Sequence, residues 1–265
     1  MGTGRHLVSL ALMGLITLQA RPQGSRDPVM VREDARAGLE LWQTALGDLW
    51  IPKPGMWVMK HLIREQTEER VYHHSRVHVL PGDVVIDCGA HIGGFTATAL
   101  RAGARLVIAI EPEQSNRGAF RRNFAAELKS GKVKLVEKGV WETSGRLVLH
   151  LSKVGDSHSI VVKPEGPGDQ PMEVTTLDAL AASLKLERID FVKMDIEGAE
   201  LQALRGARQT LQRGKPRLAI SSYHQPGDPA AICKLVWDTR TDYLVESKDL
   251  LRVHNSSVPK VLFFR

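Results

Sequence analysis

Four short stretches of this chain place acids, glycines and a histidine where they could hold a nucleotide and move a proton. In VVIDCGAHIGGFTATAL (84–100) an apolar run ends at Asp87, and the turn GAHIGG carries Gly89, Gly93 and Gly94. A dinucleotide pyrophosphate calls for the G-x-G-x-x-G order, in which backbone N–H groups and a helix N-terminus meet its charge. Here Gly89 and Gly93 are four apart, and a carboxylate stands two residues before the first glycine. That acid would repel a pyrophosphate and suits a cationic group, such as the ammonium end of a methionine moiety. Glu111 closes the next strand, about 22 residues after Gly89, where a ribose-binding carboxylate is expected. An adenosyl ribose with an amino-acid tail fits both acids better than NAD does.

The later stretches are suited to proton chemistry. Asp195, Glu197 and Glu200 follow the strand FVKM, and His224 follows the strand RLAIS. The side chain of His224 has an intrinsic pKa near neutrality, which makes it the candidate general base for a hydroxyl. A plainer reading of the acids is that Asp195 caps a helix opening at Glu197, with both favouring its dipole. Glu200 lies on the same helix face as Glu197. Gly139 and Val140 follow the third strand, in the topological place for an adenine. Trp141 beside them is either part of that pocket or core. Trp42, Trp50 and Trp57 are expected to cover a sheet edge or the substrate mouth. His61, His73, His74 and His78 have no third positioned ligand in the sequence, so no metal site is expected.

These residues need a scaffold, and the apolar periods supply one. VVID (84–87), LVIAIE (106–111), VKLVEKGV (133–140), FVKMD (191–195) and RLAIS (217–221) read as short strands separated by helical segments. Such alternation predicts an α/β fold, a mostly parallel sheet with helices on both faces, with sites at the carboxyl ends of the strands. LVLHLS and MEVTTL bracket a hairpin or excursion at GPGDQP, and DYLVES with VPKVLFF reads as a terminal antiparallel pair. Residues 34–46 and 61–80 are expected to be helical. The domain reading is therefore 1–30 as an apolar segment and linker, 31–80 as a helical region, and 81–265 as the catalytic domain. The chain has 265 residues, 43% hydrophobic and 25% charged, a globular composition. A net charge of +6 spread among acids points to a solvated surface and no dedicated nucleic-acid face. Two distant cysteines, Cys88 and Cys233, form no disulfide framework, which fits a reducing, cytoplasmic setting. LVSLALMGLITL (7–18) is a candidate signal, a peripheral membrane anchor, or the product of a start placed too far upstream.

The D-x-G-A-x-x-G turn followed by Glu111-Pro112 resembles the S-adenosylmethionine-dependent methyltransferases of class I, Rossmann-like fold. FVKMDIEGAELQALRGA (191–207), preceded by TTLDAL and followed by LAISSYHQPGD, resembles the FkbM-type family more specifically, over residues 78–265. Two positions depart from that family's habit: His91 stands where Asn is common, and Ser222 where many members have Glu. The resemblance implies S-adenosyl-L-methionine as cofactor, held by Asp87, Gly89, Ala90, His91, Gly93, Glu111, Pro112, Gly139, Val140 and Asp195. It implies catalysis by His224, Asp195, Glu197 and Glu200, and O-methylation of a small-molecule or glycan acceptor such as a sugar, glycosylated natural product or lipid. RNA or protein methylation is the alternative within the class. An NAD(P)-dependent oxidoreductase and a non-catalytic adenosyl-ligand module are the alternatives outside it.

Overall fold

The structure, a computed structural model, describes residues 27–150, 159–161, 170–225, 227–253 and 256–265. The apolar segment 7–18 and most of the GPGDQP excursion lie outside these residues. Among the described residues no helix is long and apolar enough to cross a membrane.

The described chain opens with three antiparallel strands, β1 (Val29–Asp34), β2 (Leu39–Thr44) and β3 (Gly47–Pro52). This corrects the helix expected over 34–46. Gly38 and Gly47 take positive φ and fold the segment into two hairpins, and Leu39, Trp42 and Thr44 are buried between them. Helix α1 (Met56–Arg64) runs into a π-helical turn at Glu65–Glu69, and Arg70 in the left-handed region ends it. The helix expected over 61–80 therefore stops ten residues early, and residues 71–80 continue without a helix.

The central sheet begins with β4 (Val84–Cys88), after which α2 (Gly94–Arg101), β5 (Leu106–Ile110), α3 (Gln114–Asn123), α4 (Ala125–Ser130) and β6 (Val133–Val136) follow. A smaller sheet comprises β7 (Gly139–Val140), β8 (Gly145–His150), β9 (Ser159–Val161) and β10 (Gln170–Thr175), with β8 and β10 antiparallel as the bracketing strands predict. The chain continues through α5 (Leu177–Ser183), β11 (Phe191–Met194), α6 (Glu200–Arg205), α7 (Arg208–Gly214), β12 (Arg217–Ser221) and α8 (Asp228–Thr239). It closes with β13 (Val245–Val253) and β14 (Ser256–Phe264). The seven-stranded order is β13-β14-β12-β11-β4-β5-β6, parallel except at β14, which pairs antiparallel with both neighbours. Both faces of this sheet are covered, so its strands are apolar without a break. Val85, Val107, Phe191 and Ala219 face one core, while Ile86, Ile108, Val192 and Leu218 face the other. The first core also contains Leu39, Trp42 and Ile51, so the N-terminal sheet packs into the same interior.

Candidate active site

The glycine turn after β4 is held from beneath. Asp87 is fully buried, accepts from the Thr96 hydroxyl at 2.8 Å and stands 3.3 Å from the Lys193 ammonium. Register places Lys193 of β11 beside Asp87, and its Nζ donates to the carbonyls of Gly89 at 2.8 Å and Cys88 at 3.2 Å. Burial works against the charge on Lys193, but Asp87, Asp195 and Glu65 outweigh it and raise its pKa. The acid and lysine thus shape the turn, whose Gly89, Ala90 and His91 line the cleft. Gly89 has φ 76°, and a Cβ there would lie 1.9 Å from the carbonyl oxygen of Asp195. Gly93, at φ 100°, would drive a Cβ into Phe124 at 2.0 Å. His91 also lies in the left-handed region, at φ 52°, where Asn and His are tolerated better than other residues. That shared tolerance accounts for the exchange of Asn for His.

Glu111 stands at the carboxyl end of β5 and is only 5% exposed. One oxygen accepts from the backbone N–H of His91 at 2.7 Å, and the other from that of Glu113 at 2.9 Å. Burial dominates these bonds and pushes its pKa up to about 7.

Beyond the turn, Tyr72 and His224 converge on Asp195, and His224 in turn meets Glu197 and Glu200. Tyr72 donates to its Oδ2 at 2.6 Å, and His224 Nε2 stands 3.5 Å from its Oδ1 and 3.4 Å from Glu197 Oε2. His224 Nδ1 faces Glu200 Oε1 at 3.0 Å, and that oxygen accepts from the backbone N–H of Ile196. Burial alone would lower the pKa of His224, but Glu200, Asp195 and Glu197 reverse that and push it up to about 9. Burial opposes ionisation of Asp195 as well, yet Lys193, His224 and Tyr72 hold its carboxyl below the usual range. Asp195 does not cap a helix opening at Glu197. Helix α6 starts at Glu200, Ala199 precedes it without a side-chain cap, and Glu197 sits at φ 56°.

These groups border one cleft of about 1230 Å3, its open mouth included. Gly89, Ala90, His91, Glu111 and Pro112 form its wall on the turn side. Gly139, Val140, Asp195 and Glu197 form the wall beside and beyond it. Asp87, Gly93, Glu200 and His224 stand behind that wall. Trp141 packs against Met172 and Val174 outside the cleft, which decides for core. Trp57 is 63% exposed at the mouth and stacks on His61 at 5.6 Å. His73 stacks on His78, and His74 pairs with Glu246, so this histidine group is divided among separate contacts. Sequence reasoning missed Glu65, which enters the cleft from the π-helical turn with its pKa pushed to about 7 by burial and by Asp195. It also missed Tyr72 and Tyr223, both on the cleft wall. The interrupted helix around Glu65 was the available signal, because π-turns concentrate at functional sites.

The Methyltransferase FkbM domain model matches residues 87–245. The chain is 27% identical over 160 residues to the hexuronic acid methyltransferase AglP of Haloferax volcanii, covering 60% of this chain and 63% of that protein. It is also 27% identical over 181 residues to the 2-O-methyltransferase NoeI of Sinorhizobium fredii, covering 61% and 72%. Among solved structures, Methyltransferase FkbM from Methylobacillus flagellatus superposes with a TM-score of 0.52 at 22% identity, covering 81% of this chain and 56% of that one. The glycine turn, the buried acid closing β5 and the DIEGAE block lie within the matched span, and the chain belongs to the FkbM family of S-adenosylmethionine-dependent methyltransferases.

Proposed function

We propose that this protein transfers the methyl group of S-adenosylmethionine to a hydroxyl of a sugar or glycan. The observation that carries the reading is one cleft joining the glycine turn and Glu111 at one end to Asp195 and Glu197 at the other. The fit to the cofactor rests on the turn itself. Only glycine at position 89 lets the turn pack this closely on the Asp195 carbonyl and take its φ of 76°, and Glu111 keeps its carboxyl at the cleft wall, within reach of ribose hydroxyls. Gly139 and Val140 line the cleft with apolar surface suited to an adenine. Asp87 acts from below, through Lys193 and Thr96, by fixing the backbone of the turn. When bound, the cofactor supplies an already electrophilic methyl group, so the chain has to align a nucleophile, exclude water and take a proton.

Glu65 suits the last task, because it lines the cleft with a pKa near neutrality. His224 stands behind the wall and is raised to about 9, so near neutral pH it holds Asp195, Glu197 and Glu200 in place. We take residues 81–265 as the transferase domain, with 31–80 contributing Trp57, Glu65 and Tyr72 to its cleft. The relative named for hexuronic acid supports a sugar acceptor, and the one named as a 2-O-methyltransferase supports transfer to oxygen. Incubating the protein with radiolabelled methyl donor and separate glycan, lipid and RNA fractions tests this. Label in the glycan fraction is expected, and label in RNA alone refutes the sugar reading.

A further inference from the structure

We propose that Asp195, Glu197 and His224 bind one divalent cation of the manganese or zinc kind at the inner end of the cleft. One donor atom from each lies within 4.8 Å of the other two. His224 Nε2 is 3.5 Å from Asp195 Oδ1 and 3.4 Å from Glu197 Oε2, beyond the ~2.9 Å of a normal N–H···O bond. Donors ~2.1 Å from a tetrahedral ion stand roughly 3.4 Å apart, which matches both spacings.

His224 is 8% exposed at its side chain, and both its Nε2 and its Nδ1 are buried without a well-formed hydrogen bond, Nδ1 having only the ion-pair approach of Glu200. Asp195 Oδ1 is also buried and without one. Two unsatisfied polar atoms thus face each other across the space an ion would take. Leaving buried polar atoms in that state is unfavourable, and bonds to a metal would offset it.

The surroundings are those a metal site requires. A metal-bound imidazole turns its other nitrogen to a carboxylate, and Nδ1 of His224 faces Glu200 Oε1 at 3.0 Å. The remaining oxygen of Asp195 is fixed by Tyr72 at 2.6 Å. Glu197 reaches the group from a left-handed backbone, a strained conformation that functional sites retain. Asp195 and Glu197 also line the cleft, so further coordination positions open toward it. Two carboxylates and one imidazole suit Mn2+ or Zn2+ better than Mg2+, which prefers oxygen alone. A cation here would take over the positive charge that His224 otherwise supplies to the acids. The site goes beyond methyl transfer and is tested by binding alone, so its failure and the failure of the transferase reading are separate results.

The full chain, stripped with chelator and dialysed, is titrated with Mn2+ while the free-ion electron paramagnetic resonance signal is read, and Zn2+ is then added in competition. One Mn2+ per chain, displaced by Zn2+, is expected. Glu200→Gln removes the negative charge facing Nδ1 and no ligand, and is expected to weaken binding about 10–100-fold. His224→Ala is expected to abolish stoichiometric binding. No stoichiometric uptake below ~1 mM, or equal affinity in both variants, overturns the site and leaves His224 as the sole cation there. Should His224→Ala fail to fold, electron spin echo modulation of the Mn2+-loaded wild type decides. Coupling to one imidazole nitrogen is expected, and its absence overturns the proposal.

Discussion

Glu111 offers the sharpest test of how the cleft holds its nucleotide. Its pKa is pushed from an ordinary 4.5 to about 7, chiefly by burial. The folded state therefore binds its proton more tightly than the unfolded chain does. Its stabilising contribution is complete below pH 4.5 and is lost as the pH rises through 7, up to roughly 3 kcal/mol at 1.36 kcal/mol per pKa unit. An ionised carboxylate maintained against that penalty is expected to serve a ligand. If ribose hydroxyls need the carboxylate, the competent fraction is about 9% at pH 6 and about 91% at pH 8, so S-adenosylmethionine binds roughly tenfold more weakly at pH 6. Glu111→Gln tests the cause. The amide still accepts from one of the two backbone N–H groups, while its NH2 opposes the other, at about 1–3 kcal/mol. Relief of the buried charge above pH 7 is of similar size, so the variant is expected to melt close to the wild type at pH 8. Its cofactor Kd is expected to rise about 10–100-fold and to become flat with pH, as read by calorimetry between pH 6 and 8.5. A wild-type Kd independent of pH, or a variant that binds normally, refutes the assignment of Glu111 to the ribose.

Further outcomes follow from the same geometry. Lys193→Met leaves Asp87 as an uncompensated buried charge, and chemical denaturation is expected to show a loss of about 3–5 kcal/mol. Gly89→Ala forces a Cβ against the Asp195 carbonyl, so calorimetry is expected to find no cofactor binding even where circular dichroism shows a folded chain. Glu65→Gln is expected to slow transfer about 10²–10⁴-fold with the cofactor Kd unchanged, and an unaltered rate removes it as the proton acceptor. Trp57→Ala touches an exposed ring at the mouth, so stability should move by less than about 0.5 kcal/mol while KM for the acceptor rises.

The central sheet was legible in the sequence because buried parallel strands must be apolar throughout, and VVID, LVIAI and RLAIS are short apolar runs that alternate with helical segments. The placing of Asp87, the glycines and Glu111 around the ends of β4 and β5 was legible for a related reason, since a turn between strand and helix fixes their separation along the chain. The N-terminal region was not. DARAGLELWQTAL carries a spacing compatible with a helix, and only pairing of β2 with β1 and β3 over Gly38 and Gly47 makes it sheet. Likewise Asp87 reads as a ligand-facing acid until register sets it beside Lys193 beneath the turn. Glu65 and Tyr72 precede the glycine turn by residues of no recognisable motif, and their approach to Asp195 depends on the π-helical turn and the chain reversal after Arg70. Local spacing thus determined which residues end the strands. Which of them share a cleft, and the pKa each acquires there, was decided by tertiary packing, because desolvation and neighbouring charge exist only once distant segments meet.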